Sequence, residues 1–104
     1  MRRQVSEARR DSYRLERDLR SRLAMAQHGH ELADARVATA TEQASIAAET
    51  LRLSELGFSL GEIDLQTLLR ARARARAAEQ SRREALLLRQ ASAAQLNQAL
   101  GVLP

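Results

Sequence analysis

Apolar positions along the first half of the chain recur in steps of three and four. After Leu15 the row continues through Leu19, Leu23, Ala26, His30, Ala33, Val37, Ala40, Ala44, Ala47 and Leu51. That spacing marks one stripe of a helix, and sustained over several heptads it marks a coiled-coil seam. The two successive four-residue steps at Leu15, Leu19 and Leu23 relax the supercoil locally. From Val5 to Leu56 only Gly29 interrupts the helical pattern, and it reads equally as a bend or as a tolerated weak spot costing ~1 kcal/mol against Ala. At ~1.5 Å per residue such a helix is roughly 75 Å long. It needs a partner along its length.

The stretch "ELGFSLGEIDLQTLL", Glu55 to Leu69, supplies the strong punctuation. Gly57 stands where a left-handed residue ends a helix, with Phe58 in the position that folds back on the last turn. Gly61 permits a second unusual backbone conformation. Asp64 is suited to cap a helix that begins at Leu65. The pattern therefore predicts an all-α fold: one helical hairpin over residues 1–104, with a helix at about 5–56, a tip turn at 57–63, and a return helix at about 64–100. Gly101 and Pro104 are read as the stop signal of the return helix.

Inside the return helix lies "LLRARARARAAE", Leu68 to Glu79. Its strict alternation suits a strand, but neither Ala nor Arg favours one and no turn separates the segment from its helical flanks. On a helix, Arg70 and Arg74 stack on one ridge and Arg72 and Arg76 on another. One row then runs through Leu68, Ala71, Ala75, Ala78, Arg82, Ala85, Arg89, Ser92, Leu96, Ala99 and Leu103. A second row, on roughly the opposite side, runs through Ala73, Ala77, Gln80, Glu84, Leu87, Ala91 and Ala94. The first helix carries a spare row too, at Ala35, Ala38, Ser45 and Ala48. A lone hairpin uses one row per helix, so the spare rows predict further helices and self-association into a bundle or tunnel. The arms are also unequal, and the first ~15 residues overshoot the return helix.

Composition narrows the chemistry. The 44% of hydrophobic residues is mostly Ala and Leu, with one Phe, one Tyr and no Trp, which suits helices packed closely side by side. All 17 basic residues are Arg, so no catalytic or Schiff-base lysine exists. The net charge of +4 permits an acidic protein, nucleic acid or acidic lipid as partner, but 13 acidic residues interleave with the arginines and the chain is no basic tail. With no cysteine there is neither a disulfide nor a thiolate metal site. No apolar run approaches the ~20 residues of a membrane-spanning helix.

Two segments, "LGFSLGEIDLQTLLRARARAR" and "AAQLNQALGVLP", carry a resemblance in their order and spacing. A glycine is followed by an aromatic, a second glycine comes four residues after the first, a capped return helix opens on a "DLLxA"-like pattern, and the end is "L-x-x-A-L-G". Over Glu49 to Pro104 the chain resembles the C-terminal part of the TolC family of outer-membrane efflux conduits, and "GEIDLQTLL" is most similar to the branch serving heavy-metal and other cation exporters. The resemblance implies a hairpin cut from a longer chain, a homotrimer, and a periplasmic location within an outer-membrane protein. It implies an adaptor protein and an inner-membrane transporter as partners, and a passive conduit rather than an enzyme, without cofactor or metal. By position, Gly57, Phe58, Leu60, Gly61 and Asp64 would form the adaptor-docking tip, and Thr67, Arg70 and Arg74 would face the pore. Some family members place cation-binding aspartates at the Thr67 and Arg70 positions. This chain has no acid at either, and its ridge would make the region positive.

The alternative, from a different class, is a stand-alone arginine-rich hairpin that binds nucleic acid or scaffolds a cytoplasmic complex. Arginine ridges neutralise phosphates, but no aromatic platform, recognition-helix motif or zinc spacing accompanies these. His28 and His30 invite a metal reading. Two residues apart on a helix they point to different faces, and Asp34 adds only one more oxygen ligand beside His30. His30 is better read as a polar break in the seam. No Ser/His/Asp set, phosphate-cradling loop or paired-carboxylate pocket is legible.

Overall fold

The structure is a computed structural model that describes residues 2–102. Two helices, α1 (Arg2–Ser59) and α2 (Leu65–Val102), fold back on one another as a hairpin measuring 89 × 18 × 13 Å. The long dimension matches the roughly 87 Å expected of one straight 58-residue helix. Gly29 therefore lies within a continuous helix and introduces no sharp bend.

Burial follows the sequence periodicity. Along α1 the less exposed positions are Leu19, Leu23, Ala26, His30, Ala33, Val37, Ala40, Ala44, Ala47 and Leu51, continuing through Ser54 to Gly57, with Gly29 beside His30. Along α2 they include Leu68, Ala71, Ala75, Ala78, Arg82, Ala85, Arg89, Ser92, Leu96 and Ala99. Alanine dominates both rows, which lets the two backbones approach closely. The best-covered core joins Val37 and Ala40 of α1 to Ala85 of α2, with Leu86 packed against them. Leu15, expected to open the seam, is instead 61% exposed. Residues 3–18 are all exposed, and the last described turn of α2, at Ala99 and Val102, lies beside Leu19, Arg22 and Ala26.

The turn departs from expectation at both glycines. α1 does not stop at Leu56 but continues through Gly57 and Phe58 to Ser59, and the left-handed residue is Gly61, with φ +74°. The Gly61 amide donates to the Phe58 carbonyl at 3.0 Å and the Glu62 amide to the Gly57 carbonyl at 2.8 Å. These are the paired bonds of a Schellman ending with Gly61 at C′. Gly57 serves packing: it is buried, and a Cβ built there would meet the Ile63 side chain at 3.6 Å. Phe58 stays helical and 42% exposed; Ile63, not Phe58, folds over the last turn. Residues 60–64 thus form the connection, shorter than the predicted tip. Gly101 lies inside α2, because one glycine costs only ~1 kcal/mol and does not stop a helix. Leu103 and Pro104 lie outside the described residues.

The two glycines should therefore respond in opposite directions to alanine. Gly57→Ala is expected to raise stability by ~0.5–1 kcal/mol, since 3.6 Å is ordinary contact and Ala restricts the unfolded chain. Gly61→Ala is expected to lower it by ~1 kcal/mol through the left-handed backbone. Thermal melts followed by circular dichroism check both; the reverse order would place the chain reversal at Gly57.

A hairpin this thin leaves much surface in water. Its accessible area is 8539 Å², against roughly 5,800 Å² for a compact protein of 11.6 kDa. The radius of gyration is 24.3 Å, against about 13 Å for a compact chain of this length. The excess includes Met25, Leu32, Ile46 and Leu53 of α1 and Leu69, Leu87 and Leu88 of α2, all about half exposed or more.

Candidate functional site

Asp64 secures the start of α2. Its Oδ1 accepts from the Thr67 amide at 2.8 Å and from Thr67 Oγ1 at 2.7 Å, satisfying a helix-start amide that has no partner within the helix. The Thr67 side-chain bond, then the Thr67 amide, with Arg70 adding a smaller pull, hold the Asp64 carboxyl below its ordinary range while partial desolvation opposes them. A lowered pKa means that the cap stabilises the fold above the ordinary carboxylate range and is lost as pH falls through the folded value. Asp64→Ala is thus expected to lower the melting temperature at neutral pH, with the gap to the native chain closing on acidification below the ordinary carboxylate range. Asp64→Asn should keep most of the cap at neutral pH.

The eight predicted site residues, five at the tip and three pore-facing candidates, fall in two places. Gly57 is buried beneath Ile63 and presents nothing to a partner. Phe58, Leu60 and Gly61 are exposed at the tip. Thr67, Arg70 and Arg74 come together on one flank of the hairpin, where with Gln43, Ile46, Thr50 and Ser54 of α1 they line an open groove of about 440 Å³. The floor is Ala47 and Ala71. No acidic residue lines this groove, and among the described residues neither Arg70 nor Arg74 makes an ion pair.

The other arginine ridge has a different setting. Arg72 and Arg76 lie on the opposite flank in a groove that also contains Glu55, Glu79 and Arg83. Glu79 accepts from Arg82 Nη2 at 2.6 Å and lies 3.5 Å from Arg83 Nε, and the Arg82 bond lowers the pKa of its carboxyl. The four alternating arginines therefore form two ridges on two flanks rather than one basic face.

Farther from the tip, His30 faces α2 across the seam. The Ser92 hydroxyl lies 2.8 Å from the Arg89 carbonyl, to which it donates, and its Oγ is within hydrogen-bond distance of His30 Nδ1 at 3.1 Å. Nε2 lies 3.5 Å from Asp34 Oδ2, and Arg89 Nε lies 3.9 Å from Asp34 Oδ1. His28 is exposed and takes no part in this network. Among the described residues no three His, Cys, Asp or Glu side chains are placed to hold a metal, and no helix is long and apolar enough to cross a membrane.

Two features escaped the sequence reading. The acid-free groove depends on which faces of two helices meet, which no single-helix pattern reveals. The exposed row Met25, Leu32, Ile46 and Leu53 does have a signal, because these positions and Thr39 between them repeat every seven residues. The spare alanine rows of both helices are exposed along their length. Comparison with protein families, with characterised proteins and with solved structures gives no match for this chain.

Proposed function

We propose that the chain is a periplasmic coiled-coil hairpin of a trimeric outer-membrane efflux channel of the TolC kind, a passive conduit whose tip docks an adaptor of an inner-membrane transporter. The observation that carries this reading is the pair of outward small-residue rows, Ala35, Ala38, Ser45 and Ala48 on α1 and Ala73, Ala77, Ala91 and Ala94 on α2, all left exposed by the hairpin itself. Rows of small side chains on both outer sides suit a palisade in which each helix has two neighbours.

The nucleic-acid reading is weaker on the geometry of the arginines, which are divided between two flanks, one of them partly neutralised by Glu79. A duplex laid along either flank meets only one ridge.

Because the chain lacks cysteine, Ser45→Cys together with Ala77→Cys gives a clean test. Both positions are exposed and lie on the outer faces. Oxidation in intact cells is expected to give disulfide-linked oligomers ending at the trimer. Monomer alone, or a chain confined to the cytoplasm, would refute the reading.

A further inference from the structure

The groove beside Arg70 and Arg74 holds two guanidiniums that make no ion pair among the described residues, with no acidic residue in its lining and only a weak pull between Arg70 and Asp64 at the cap, although acidic residues are plentiful near the turn. None of them lines this groove, and three are engaged elsewhere. Glu49 is bound to Arg52 at 2.6 Å, Glu79 to Arg82 on the other flank, and Asp64 to Thr67 at the cap. The N-terminal end of α2, with its positive end of the helix dipole, opens at the same place. Hydroxyls of Thr50 and Ser54 stand along the opposite wall, and Ile46, 60% exposed, provides an apolar contact at the rim.

We propose that this groove docks an acidic amphipathic helix of a partner protein, with two carboxylates four residues apart pairing with Arg70 and Arg74 and an apolar residue between them covering Ile46. The Cβ atoms of residues four apart on a helix lie ~6 Å apart, so arginines at this spacing match carboxylates at i and i+4 on a facing helix. Arginine forks bind carboxylates in bidentate fashion. The apolar rim separates this occupant from nucleic acid, which would find no aromatic stacking partner in the lining and would use Arg72 and Arg76 equally well. The inference does not depend on the conduit reading: it concerns the inter-helix groove, not the outer faces that a palisade would cover.

The test uses the whole 104-residue chain and a labelled alanine-based helical peptide carrying two glutamates four residues apart with leucine between them. A peptide with glutamines in their place and an oligothymidine strand serve as comparisons, and binding is followed by fluorescence anisotropy. The glutamate peptide is expected to bind at low salt and to weaken as salt rises, as charge pairing requires. Arg70→Gln with Arg74→Gln should weaken it about tenfold or more, and Arg72→Gln with Arg76→Gln less than about twofold. All four positions are exposed, so both variants should keep native helicity, which circular dichroism verifies. Three results would overturn the proposal: no binding of the glutamate peptide by the native chain, equal losses in the two double variants, or tighter binding of the oligothymidine than of the peptide. Failure of the Ser45–Ala77 crosslink with intact peptide binding would reject the conduit and leave this groove assignment standing.

Discussion

Leu68→Ala is expected to lower the stability of the hairpin by about 2–4 kcal/mol. At 3% exposure Leu68 is more fully covered than any other core side chain named above. It holds the fourth helical position of α2, one turn after the Asp64 cap, and its amide donates to the Asp64 carbonyl at 3.3 Å. Ile63, the residue before the cap, stands in the position that staples a helix start to that fourth residue. Removing the isobutyl group therefore loosens the turn and the first contact of α2 with α1 together. Leu69 is the internal comparison: it is 49% exposed, and Leu69→Ala should cost well under half as much. Urea denaturation of both variants decides the matter. Equal losses would mean that α2 does not present the Leu68 face to α1.

A charge in the central core should do comparable damage, with a pH signature. Val37 packs with Ala40 and Ala85 at 8% exposure, and the arginines that flank Ala85 in the inward row of α2, Arg82 and Arg89, already face Glu79 and Asp34. Val37→Asp loses the apolar contact and places a carboxylate among apolar side chains, together about 3 kcal/mol or more at neutral pH. Desolvation raises the pKa of such a carboxyl in the folded state. The folded chain then binds more protons than the unfolded chain, so stability falls as pH rises through the carboxylate range and recovers as pH drops below the folded value. Val37→Asn should show a similar apolar loss without that dependence. Parallel slopes for Asp and Asn between pH 4 and 7 would mean that position 37 is solvated.

The outcome for the two glycines shows which kind of information the chain displays openly. The seam of α1, the inward row of α2 and the Asp64 cap were legible because each is a local signal, a spacing or a side chain acting on its own backbone. The end of α1 was not. In "LGFSLG" either glycine satisfies the local rule for a left-handed residue. The decision comes from the paired bonds of the Gly61 and Glu62 amides to Phe58 and Gly57 and from Ile63 seated over Gly57, contacts that exist only once the chain has turned. The arginines divide the same way. That they form two ridges follows from the helical period; that one ridge faces hydroxyls and the other faces Glu55 and Glu79 depends on how α1 is rotated against α2. Leu15 fits the periodic row but falls where the described part of α2 no longer runs beside α1, and periodicity carries no information about the length of a partner.

The alanine seam also has a mechanical consequence. Short side chains repeated every heptad give a shallow corrugation, so sliding one helix past the other meets a lower barrier than in a leucine zipper, where each knob must climb out of a deep hole. Two clamps oppose that shear, the Schellman ending with its Asp64 cap at the turn and the His30–Ser92 bond toward the far end. Between them the shallow seam is expected to let α2 shift slightly against α1, while the continuous α1 carries axial load from the tip.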